Sequence, residues 1–258
     1  MAKLSVALVQ HNITWLDVEQ NLALLQAKTA PLTGVDLIVF SETFATGFAV
    51  DCAEVSEKAQ MILTWMQTQA QQHQAVICAS IITEQAGARF NRLYWVTPDK
   101  HVQYYDKRHL FCLGKEGDHL QAGSQRVIFE LNGFRVLPQV CYDLRFPVFA
   151  RNCNDYDVML NIANWPSARR DAWDTLLKAR AIENQSYVLA VNRIGSDGHN
   201  VAHNGGTAAY RFDGKTMALA QDNREEVLII ELDSAPQNAY KKAFPAWQDS
   251  DKFTLDIG

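Results

Sequence analysis

The chain has 258 residues, of which 48% are hydrophobic and 21% charged, and its formal net charge is −5. This is the balance of an ordinary soluble globular protein that can bury a sizeable core. Because there is no basic block, no apolar run of membrane-spanning length and no zinc-ligand spacing, we expect no nucleic-acid partner, no membrane partner and no metal. Five cysteines without a CxxC pair, and an N-terminus without a signal-peptide pattern, indicate reduced thiols and a cytoplasmic location.

The first part of the chain alternates predicted strands and helices. Continuous apolar runs predict three buried strands, which lie at 4–9, 35–40 and 75–82. Asp17, with Gln20 three residues later, predicts the start of a helix, and Pro31 predicts its end. Apolar residues at helical spacing predict a second helix over 54–72.

The remainder combines hairpins with another strand–helix–strand unit. Hairpins are predicted over 91–105 and, around Asn132-Gly133, over 126–141. The strand–helix–strand unit is predicted at 158–163, 169–184 and 187–191. A Gly-rich loop is expected over 195–206. The last predicted strands, at 207–212 and 227–232, are expected to finish the sheet.

The strands are apolar without alternation, which is typical of sheets covered on both faces. The sequence therefore predicts a layered α/β sandwich. No Pro/Gly/Ser-rich linker or low-complexity segment divides the chain, so we expect a single domain over 1–258. Within it, residues 234–258 are expected to form an extended C-terminal tail over the body or over a neighbouring subunit.

Three polar side chains end or follow predicted strands: Glu42, Lys107 and Cys141. In α/β proteins, sites usually lie at the carboxyl ends of strands. A cysteine nucleophile needs a base, a group that stabilises the oxyanion and a proton donor, and a carboxylate with an ammonium can fill these roles without histidine. Taken singly, however, each side chain is better explained as a packed thiol or a surface charge.

The segments around these residues are VFSETF (39–44), YYDKRHLF (104–111) and QVCYDLRFP (139–147). Together they resemble the Glu, Lys and Cys motifs of the nitrilase superfamily of carbon–nitrogen hydrolases, in the same order and spacing. The resemblance continues through EGDHLQAG (116–123), NWP (164–166) and the segment 179–195, so that it spans about residues 4–232. Within the superfamily, the motifs are most similar to the omega-amidase branch.

The resemblance implies a four-layer α-β-β-α sandwich of nitrilase type, subunits paired as a homodimer, and no organic or metal cofactor. It implies that Cys141 is the nucleophile and Glu42 the general base. Lys107 would stabilise the tetrahedral oxyanion together with the backbone N–H of Tyr142. Glu116 would orient Lys107 or the substrate amide and share in proton transfer.

Further residues are candidates for binding a substrate. Arg145, four residues after Cys141, can pair bidentately with a carboxylate, a role that the resemblance supports for omega-amidases. The alternative is an ion pair with Asp143 or another acidic residue of a loop. Trp165 and Phe44 are candidates for the walls of the substrate pocket, although core packing explains them equally well.

The expected partner is therefore a small-molecule amide. The expected reaction is hydrolysis of the terminal amide of a small dicarboxylic acid monoamide, with 2-oxoglutaramate and 2-oxosuccinamate as leading substrates and a thioester intermediate. The alternatives are a hydrolase of N-carbamoyl compounds or other carboxylated amides, a non-catalytic interaction protein with this fold, and a redox-sensing thiol protein that uses Cys153. The role of the 195–206 loop stays open.

Overall fold

Two six-stranded sheets pack face to face in the computed structural model, which describes residues 2–255. The first sheet consists of β1 (Lys3–Gln10), β2 (Leu37–Val39), β3 (Val76–Gln85), β4 (Ala88–Val96), β5 (Val102–Asp106) and β14 (Glu226–Asp233), in the spatial order β14-β1-β2-β3-β4-β5. The second consists of β6 (Phe129–Leu131), β7 (Phe134–Val140), β8 (Val158–Ala163), β9 (Tyr187–Asn192), β12 (Ala208–Tyr210) and β13 (Thr216–Leu219), in the order β13-β12-β9-β8-β7-β6. A small separate hairpin is formed by β10 (Ile194–Ser196) and β11 (Ala202–Asn204).

Helices cover the outer face of each sheet. The helices are α1 (Val18–Thr29), α2 (Ala59–His73), α3 (Pro147–Ala150), α4 (Arg170–Asn184) and α5 (Ser234–Ala243). The apolar faces of α1 and α2 pack on the first sheet, and that of α4 packs on the second. This arrangement confirms the predicted four-layer sandwich. None of the helices within residues 2–255 combines the length and the hydropathy needed to span a bilayer.

Strand β1 shows why the predicted strands are apolar without alternation. Leu4, Val6 and Leu8 pack between the two sheets. Ala7 and Val9, on the other face of the same strand, pack against α1 and α2. Successive side chains of a strand point to opposite faces, so a strand covered on both sides must be apolar at nearly every position.

The two halves repeat one local design. Helix α2 is followed by Gln74 in the left-handed conformation (φ 51°) and leads into β3, which is parallel to β2. Helix α4 is followed by Gln185 in the same conformation (φ 48°) and leads into β9, which is parallel to β8. Such a residue ends a helix and reverses the chain direction. As a result, both sheets contain parallel strands whose carboxyl ends can carry a site.

Several predicted elements differ from the structure. Residues Ala53–Lys58 form a 3₁₀ segment, and α2 begins only at Ala59. The predicted 195–206 loop contains most of the β10–β11 hairpin. The two late strands belong to different sheets, because β14 returns to pair with β1 while β12 pairs with β9.

The start of the predicted extended tail is a helix. Asp233 caps α5 by accepting a hydrogen bond from the N–H of Ala235 at 2.8 Å. The side chain of Gln237 is buried and donates to the carbonyl oxygens of Asp157 and Gln185. These hydrogen bonds attach α5 to the body of the chain, so the expectation of an extended segment is corrected for residues 234–243. Residues 256–258 lie outside the described part.

Candidate active site

Glu42 lies just beyond the carboxyl end of β2 and is fully buried. The turn after it is held by Thr43, which has a left-handed backbone (φ 43°) and donates its N–H to Ser80 Oγ at 2.8 Å. One carboxylate oxygen accepts from Lys107 Nζ at 2.9 Å, and the other from the backbone N–H of Asn164 at 2.8 Å. Because Asn164 follows β8, groups from both sheets hold the Glu42 carboxylate.

Lys107 is the residue after β5, and its side chain has no exposed surface. Its Nζ lies 2.9 Å from Glu42 Oε1 and 3.0 and 2.9 Å from the two oxygens of Glu116. Burial alone would lower the pKa of Lys107, but the negative charges of Glu116 and Glu42 outweigh it and raise the pKa above its ordinary value. The side chain is therefore a permanent buried cation.

Glu116 completes the cluster and is also fully buried. It accepts the backbone N–H of Phe111 at 2.6 Å in addition to its ion pair with Lys107. Burial raises the pKa of Glu116, and the charge of Glu42 acts in the same direction against the opposing effect of Lys107.

Asn91 links the carboxylates of Glu42 and Glu116, and it was not identified as a site residue from the sequence. Its Nδ2 donates to Glu42 Oε1 at 2.8 Å and to Glu116 Oε1 at 3.2 Å. The sequence offers only an amide at the start of the predicted strand 91–96, and the structure shows that this amide is fully buried. Asn164, which lies in the NWP motif, was likewise not singled out, although its Nδ2 donates to the hydroxyl of Thr43 at 3.0 Å.

Cys141 follows β7 directly and has a left-handed backbone with φ 49°. Such a conformation is unusual for a residue with a side chain and marks a tightly constrained turn. The residue as a whole is partly exposed, and its Sγ lies 4.0 Å from the carbonyl oxygen of Asn164. Burial, then the charge of Glu42, raises the pKa of Cys141 well above its ordinary value, against the opposing effect of Lys107. The resting thiol is therefore protonated.

The turn after Cys141 is fixed by Asp143, which is fully buried. Its carboxylate accepts from the Tyr105 hydroxyl at 2.8 Å and from the backbone N–H groups of His109 and Val140, each at 2.9 Å. The turn is a 3₁₀ segment (Cys141–Arg145) followed by the single turn of α3. Asp143 thus anchors the turn and is not paired with Arg145.

A cavity of about 550 Å³ opens above Glu42, Lys107 and Cys141. We call these three residues together with Glu116 the inner cluster. Two arginines of the cavity wall, Arg145 and Arg169, are called the rim arginines. The volume suits a small molecule, and the wall combines apolar surface with a few charged groups, as ligand sites usually do.

The predicted substrate-binding residues divide into two groups. Arg145, Tyr142 and Trp165 line the cavity, and the Arg145 guanidinium carbon lies 5.0 Å from the centroid of the Trp165 ring. Phe44 does not line it. It is fully buried and stacks on Phe40 with 5.3 Å between ring centroids, in the apolar layer between the first sheet and α2. The expectation of a pocket role for Phe44 is therefore corrected.

The β10–β11 hairpin forms one wall of the cavity, which gives the 195–206 segment a position. Asp197 shapes the hairpin by accepting the backbone N–H groups of His199 and Val201, both at 2.9 Å. His203 lines the cavity and is 3% exposed. Burial and then the nearby charge of Arg193 lower the pKa of His203 to about 4, so its imidazole is neutral at pH 7.

The comparison with protein families matches residues 5–242 to the model described as "Carbon-nitrogen hydrolase". The chain belongs to this family. The carbon–nitrogen hydrolase is 42% identical to the omega-amidase YafV of Escherichia coli (strain K12) over 255 residues, which cover 99% of this chain and 100% of that protein. It is 31% identical to a 2-oxoglutaramate amidase of Bacillus subtilis (strain 168), with 83% of this chain and 84% of that protein covered.

A solved structure is similar over the whole chain. It is a CN-hydrolase superfamily protein of Xanthomonas campestris, described with an arsenic adduct in the active site, and it is 40% identical with a TM-score of 0.95. The match covers 99% of this chain and 100% of that chain. A carbon–nitrogen hydrolase of Helicobacter pylori, at 18% identity and a TM-score of 0.88, shares the fold.

In this carbon–nitrogen hydrolase, the inner cluster has the parts that acyl transfer requires. Acyl transfer to a cysteine uses a thiol, a proton acceptor and a cation for the oxyanion, and this cavity brings together the thiol of Cys141, the carboxylate of Glu42 and the ammonium of Lys107. Within residues 2–255, no group of three or more His, Cys, Asp or Glu side chains is arranged to hold a metal ion.

Proposed function

We propose that this hydrolase is an omega-amidase that removes the terminal amide of small dicarboxylic acid monoamides, with 2-oxoglutaramate and 2-oxosuccinamate as leading substrates. The observation that carries the proposal is that Glu42, Lys107 and Cys141 line the same cavity as Arg145, whose guanidinium lies over the ring of Trp165 and has no carboxylate partner within residues 2–255. The names of two relatives, an omega-amidase that matches over its full length and a 2-oxoglutaramate amidase that matches over 84% of its length, support the same activity.

The first half of the reaction forms a thioester. Because the thiol of Cys141 is protonated at rest, Glu42 takes its proton as the sulfur attacks the amide carbon. The oxyanion then forms beside Lys107 and the backbone N–H of Tyr142, which lies in the first turn of a 3₁₀ segment and has no acceptor within it. One N–H of Lys107 can serve both oxygens of Glu116, which leaves another for the oxyanion. Glu42 returns the proton to the nitrogen, and ammonia leaves.

The second half hydrolyses the thioester. A water molecule enters the position that ammonia vacates, and Glu42 removes a proton from it as its oxygen attacks the thioester carbon. Collapse of the second tetrahedral intermediate breaks the carbon–sulfur bond, and the proton on Glu42 returns to Cys141. The net reaction consumes one water and yields one carboxylate and one ammonium ion. The cycle requires no redox partner.

Arg145 is assigned to the carboxylate at the far end of the substrate. A planar guanidinium can bind a carboxylate through two parallel hydrogen bonds, and its aromatic support on Trp165 limits the orientations it can take. Fixing the far end also positions the amide for attack, so this contact contributes to turnover as well as to affinity.

The test is ammonia release from a panel of small amides. The panel consists of 2-oxoglutaramate, 2-oxosuccinamate, glutamine, butyramide and N-carbamoyl-β-alanine, with Cys141→Ala protein prepared in parallel to exclude a contaminating amidase. We expect the two 2-oxo acid amides to have the highest kcat/KM. A higher value for N-carbamoyl-β-alanine would instead support the N-carbamoyl hydrolase alternative. Absence of turnover on all five substrates would support the non-catalytic alternative.

The redox alternative lacks a second thiol at the site. Cys153 is exposed and does not line the cavity that contains Cys141. All five cysteines are free, which supports a reducing compartment, and we propose a cytoplasmic location. Cell fractionation with antibody detection would test this, and recovery of the protein outside the cytoplasmic fraction would contradict it.

We also propose that the protein is a homodimer. Large apolar side chains that are more than half exposed include Ile182, near the C-terminal end of α4, as well as Val148 and Phe244. Pairing of subunits would remove such side chains from water. Light scattering coupled to size exclusion should give about twice the 29.1 kDa of one chain, and a monomeric mass across the concentration range would contradict the proposal.

A further inference from the structure

A second arginine of the cavity wall has no ion-pair partner. Arg169 immediately precedes α4 and is half-buried. Its guanidinium carbon lies 5.3 Å from the centroid of the Phe111 ring, and it forms no ion pair with a carboxylate in residues 2–255. Arg145 likewise lies over an aromatic ring, that of Trp165, and forms no ion pair with a carboxylate in residues 2–255. Two guanidinium groups with aromatic support therefore line one cavity, and each retains hydrogen-bond donors for a ligand.

The neighbouring residue shows that this state is particular to Arg169. Arg170 pairs with Asp174 at 2.8 Å and with Asp222 at 2.7 Å, and it does not line the cavity. An arginine within reach of surface carboxylates forms such pairs readily. Arg169, one position earlier in the chain, is directed to the cavity and left without a counter-ion.

The two rim arginines are connected through one side chain. The ring of Trp165 supports Arg145, and its indole N–H donates to the carbonyl oxygen of Arg169 at 2.8 Å. Trp165 is 3% exposed and packs on Trp173 of α4, which fixes its position. The segments that carry the two arginines are thus held beside the same rigid ring.

The cavity wall also carries two carboxylates besides Glu42, and both are associated with the hairpin. Asp197 accepts two backbone N–H groups of its own hairpin, and Asp51 lies 3.8 Å from the ring nitrogen of His199. Neither pairs with a rim arginine. A ligand group with its own positive charge would therefore face repulsion where it lies beside the two guanidinium groups.

We propose that Arg169 is a specificity-determining residue which, with Arg145, selects amides whose far end carries only hydrogen-bond acceptors. This inference rests on the proposed omega-amidase function and adds a basis for choosing among its substrates. A 2-oxo acid presents a carboxylate and an adjacent keto oxygen, and each can accept from a guanidinium. A 2-amino acid presents an ammonium at the position of the keto oxygen, close to two cations. The structure therefore favours 2-oxo acid amides over 2-amino acid amides.

The experiment compares three five-carbon amides that differ only at carbon 2: 2-oxoglutaramate, glutaramate and glutamine. Values of kcat/KM are measured for the wild type, Arg169→Gln, Arg169→Lys and the matched control Arg170→Gln, with the thermal midpoint of each protein. Loss of a charge-assisted hydrogen bond should lower kcat/KM of Arg169→Gln on 2-oxoglutaramate about 10- to 100-fold. The loss on glutaramate should be smaller, and the value for glutamine should not fall.

The decisive quantity is the ratio of kcat/KM for 2-oxoglutaramate to that for glutamine. It should fall about tenfold or more in Arg169→Gln, be partly retained in Arg169→Lys, which keeps the charge, and be unchanged in Arg170→Gln. An equal loss on all three amides would show that Arg169 only supports the start of α4, and an unchanged ratio would exclude any role in selection; either overturns the inference while the omega-amidase function stands. A wild-type protein that does not hydrolyse 2-oxoglutaramate would overturn the proposed function itself.

Discussion

The inner cluster and the rim arginines differ in whether their charges are already paired. Lys107 lies between two carboxylates at 2.9 Å, and none of these three side chains is exposed. Arg145 and Arg169 rest on aromatic rings and form no ion pair within residues 2–255. A buried, paired cation is fixed in place before the substrate arrives, whereas an unpaired guanidinium keeps its donors for a ligand. In the proposed function, chemistry and selection therefore belong to separate parts of one cavity.

This separation has a measurable consequence. Substitutions in the inner cluster should lower turnover of every amide by a similar factor, because all amides pass through the same tetrahedral intermediates. Substitutions at the rim should change the ratio between substrates. The predictions below test the two halves of this statement, beginning with the largest effect on turnover.

Replacement of the nucleophile should have the largest effect. Cys141→Ala removes the sulfur that forms the thioester, and we expect kcat to fall by a factor on the order of 10⁴ or more on every amide, with the fold retained. Mass spectrometry of quenched wild-type reactions should show an acyl group on Cys141 that the variant lacks. Cys153→Ala is the matched control, because Cys153 is exposed and outside the cavity. Turnover within tenfold of the wild type in Cys141→Ala would show that Cys141 is not the nucleophile, and the inner cluster would then not be the site of the chemistry.

The next effect concerns the buried ammonium. Lys107→Met removes one donor to the oxyanion, which should cost about 3–4 kcal/mol of transition-state stabilisation, or a factor on the order of 10²–10³ in kcat. It also leaves Glu42 and Glu116 facing each other without a counter-ion, so the thermal midpoint should fall as well. Lys178→Met, on the exposed side of α4, serves as the control. A loss confined to one substrate would place Lys107 in selection rather than in chemistry.

The sequence predicted the chemistry better than the selection. Lys107 and Cys141 follow strands directly, Glu42 lies just beyond β2, and the family resemblance joined these three segments, which are distant in sequence. The bridge made by Asn91 could not be predicted, because it depends on the distance between two carboxylates from different segments. Sequence patterns give the burial of a side chain more readily than its partners.

The same limit explains why Phe44 was expected in the pocket wall and why Arg169 was not singled out. Phe44 follows the base closely in the chain, yet its ring is packed behind the first sheet against Phe40. Arg169 was an unremarked member of a predicted helix over 169–184, next to another arginine. Nothing in the dipeptide Arg169-Arg170 shows that one guanidinium is paired at the surface while the other faces the cavity. Which of two neighbours enters a site depends on where the helix begins, and helix boundaries are the least predictable feature of a sequence.

The third prediction concerns the rim. Arg145→Ala should lower kcat/KM on 2-oxoglutaramate by about 2 kcal/mol, roughly 30-fold, because the substrate carboxylate loses a charge-assisted partner at a partly solvated position. Butyramide has no carboxylate, so its slow hydrolysis should be almost unaffected. Arg145→Lys should restore only part of the loss, since an ammonium lacks the fork geometry. An equal loss on both amides would assign Arg145 to supporting the Cys141 turn.

The smallest effect on turnover is expected from replacing His11. This residue extends the comparison, because it is a buried basic group without a carboxylate partner. His11 is fully buried like Lys107, but its ring nitrogens lie near two carbonyl oxygens, at 3.5 Å from Val9 and 3.3 Å from Phe44. Burial is the main cause that lowers the pKa of His11 to about 4, whereas the pKa of Lys107 is raised by its carboxylates. The pKa values of these two buried basic groups are thus shifted in opposite directions, because only Lys107 is paired with carboxylates.

This contrast predicts how stability depends on pH. The ordinary pKa of histidine is about 6.5, so between that pH and about 4 the unfolded chain binds a proton at His11 and the folded chain does not. The unfolded state is favoured as pH falls through this window, at up to about 1.4 kcal/mol per pH unit. Above pH 6.5 neither state is protonated, and the contribution to stability is complete. In urea unfolding, the wild type should therefore lose more free energy of unfolding between pH 7 and pH 5 than His11→Gln, by roughly 2 kcal/mol.

Two further histidines serve as controls for this prediction. His203 acts in the same direction but is present in both proteins, and His101→Gln, at an exposed position, is the matched control. Parallel pH profiles for the wild type and His11→Gln would mean that the folded protein accommodates a buried imidazolium without a carboxylate, and the pairing in the inner cluster would then no longer explain why Lys107 keeps its charge.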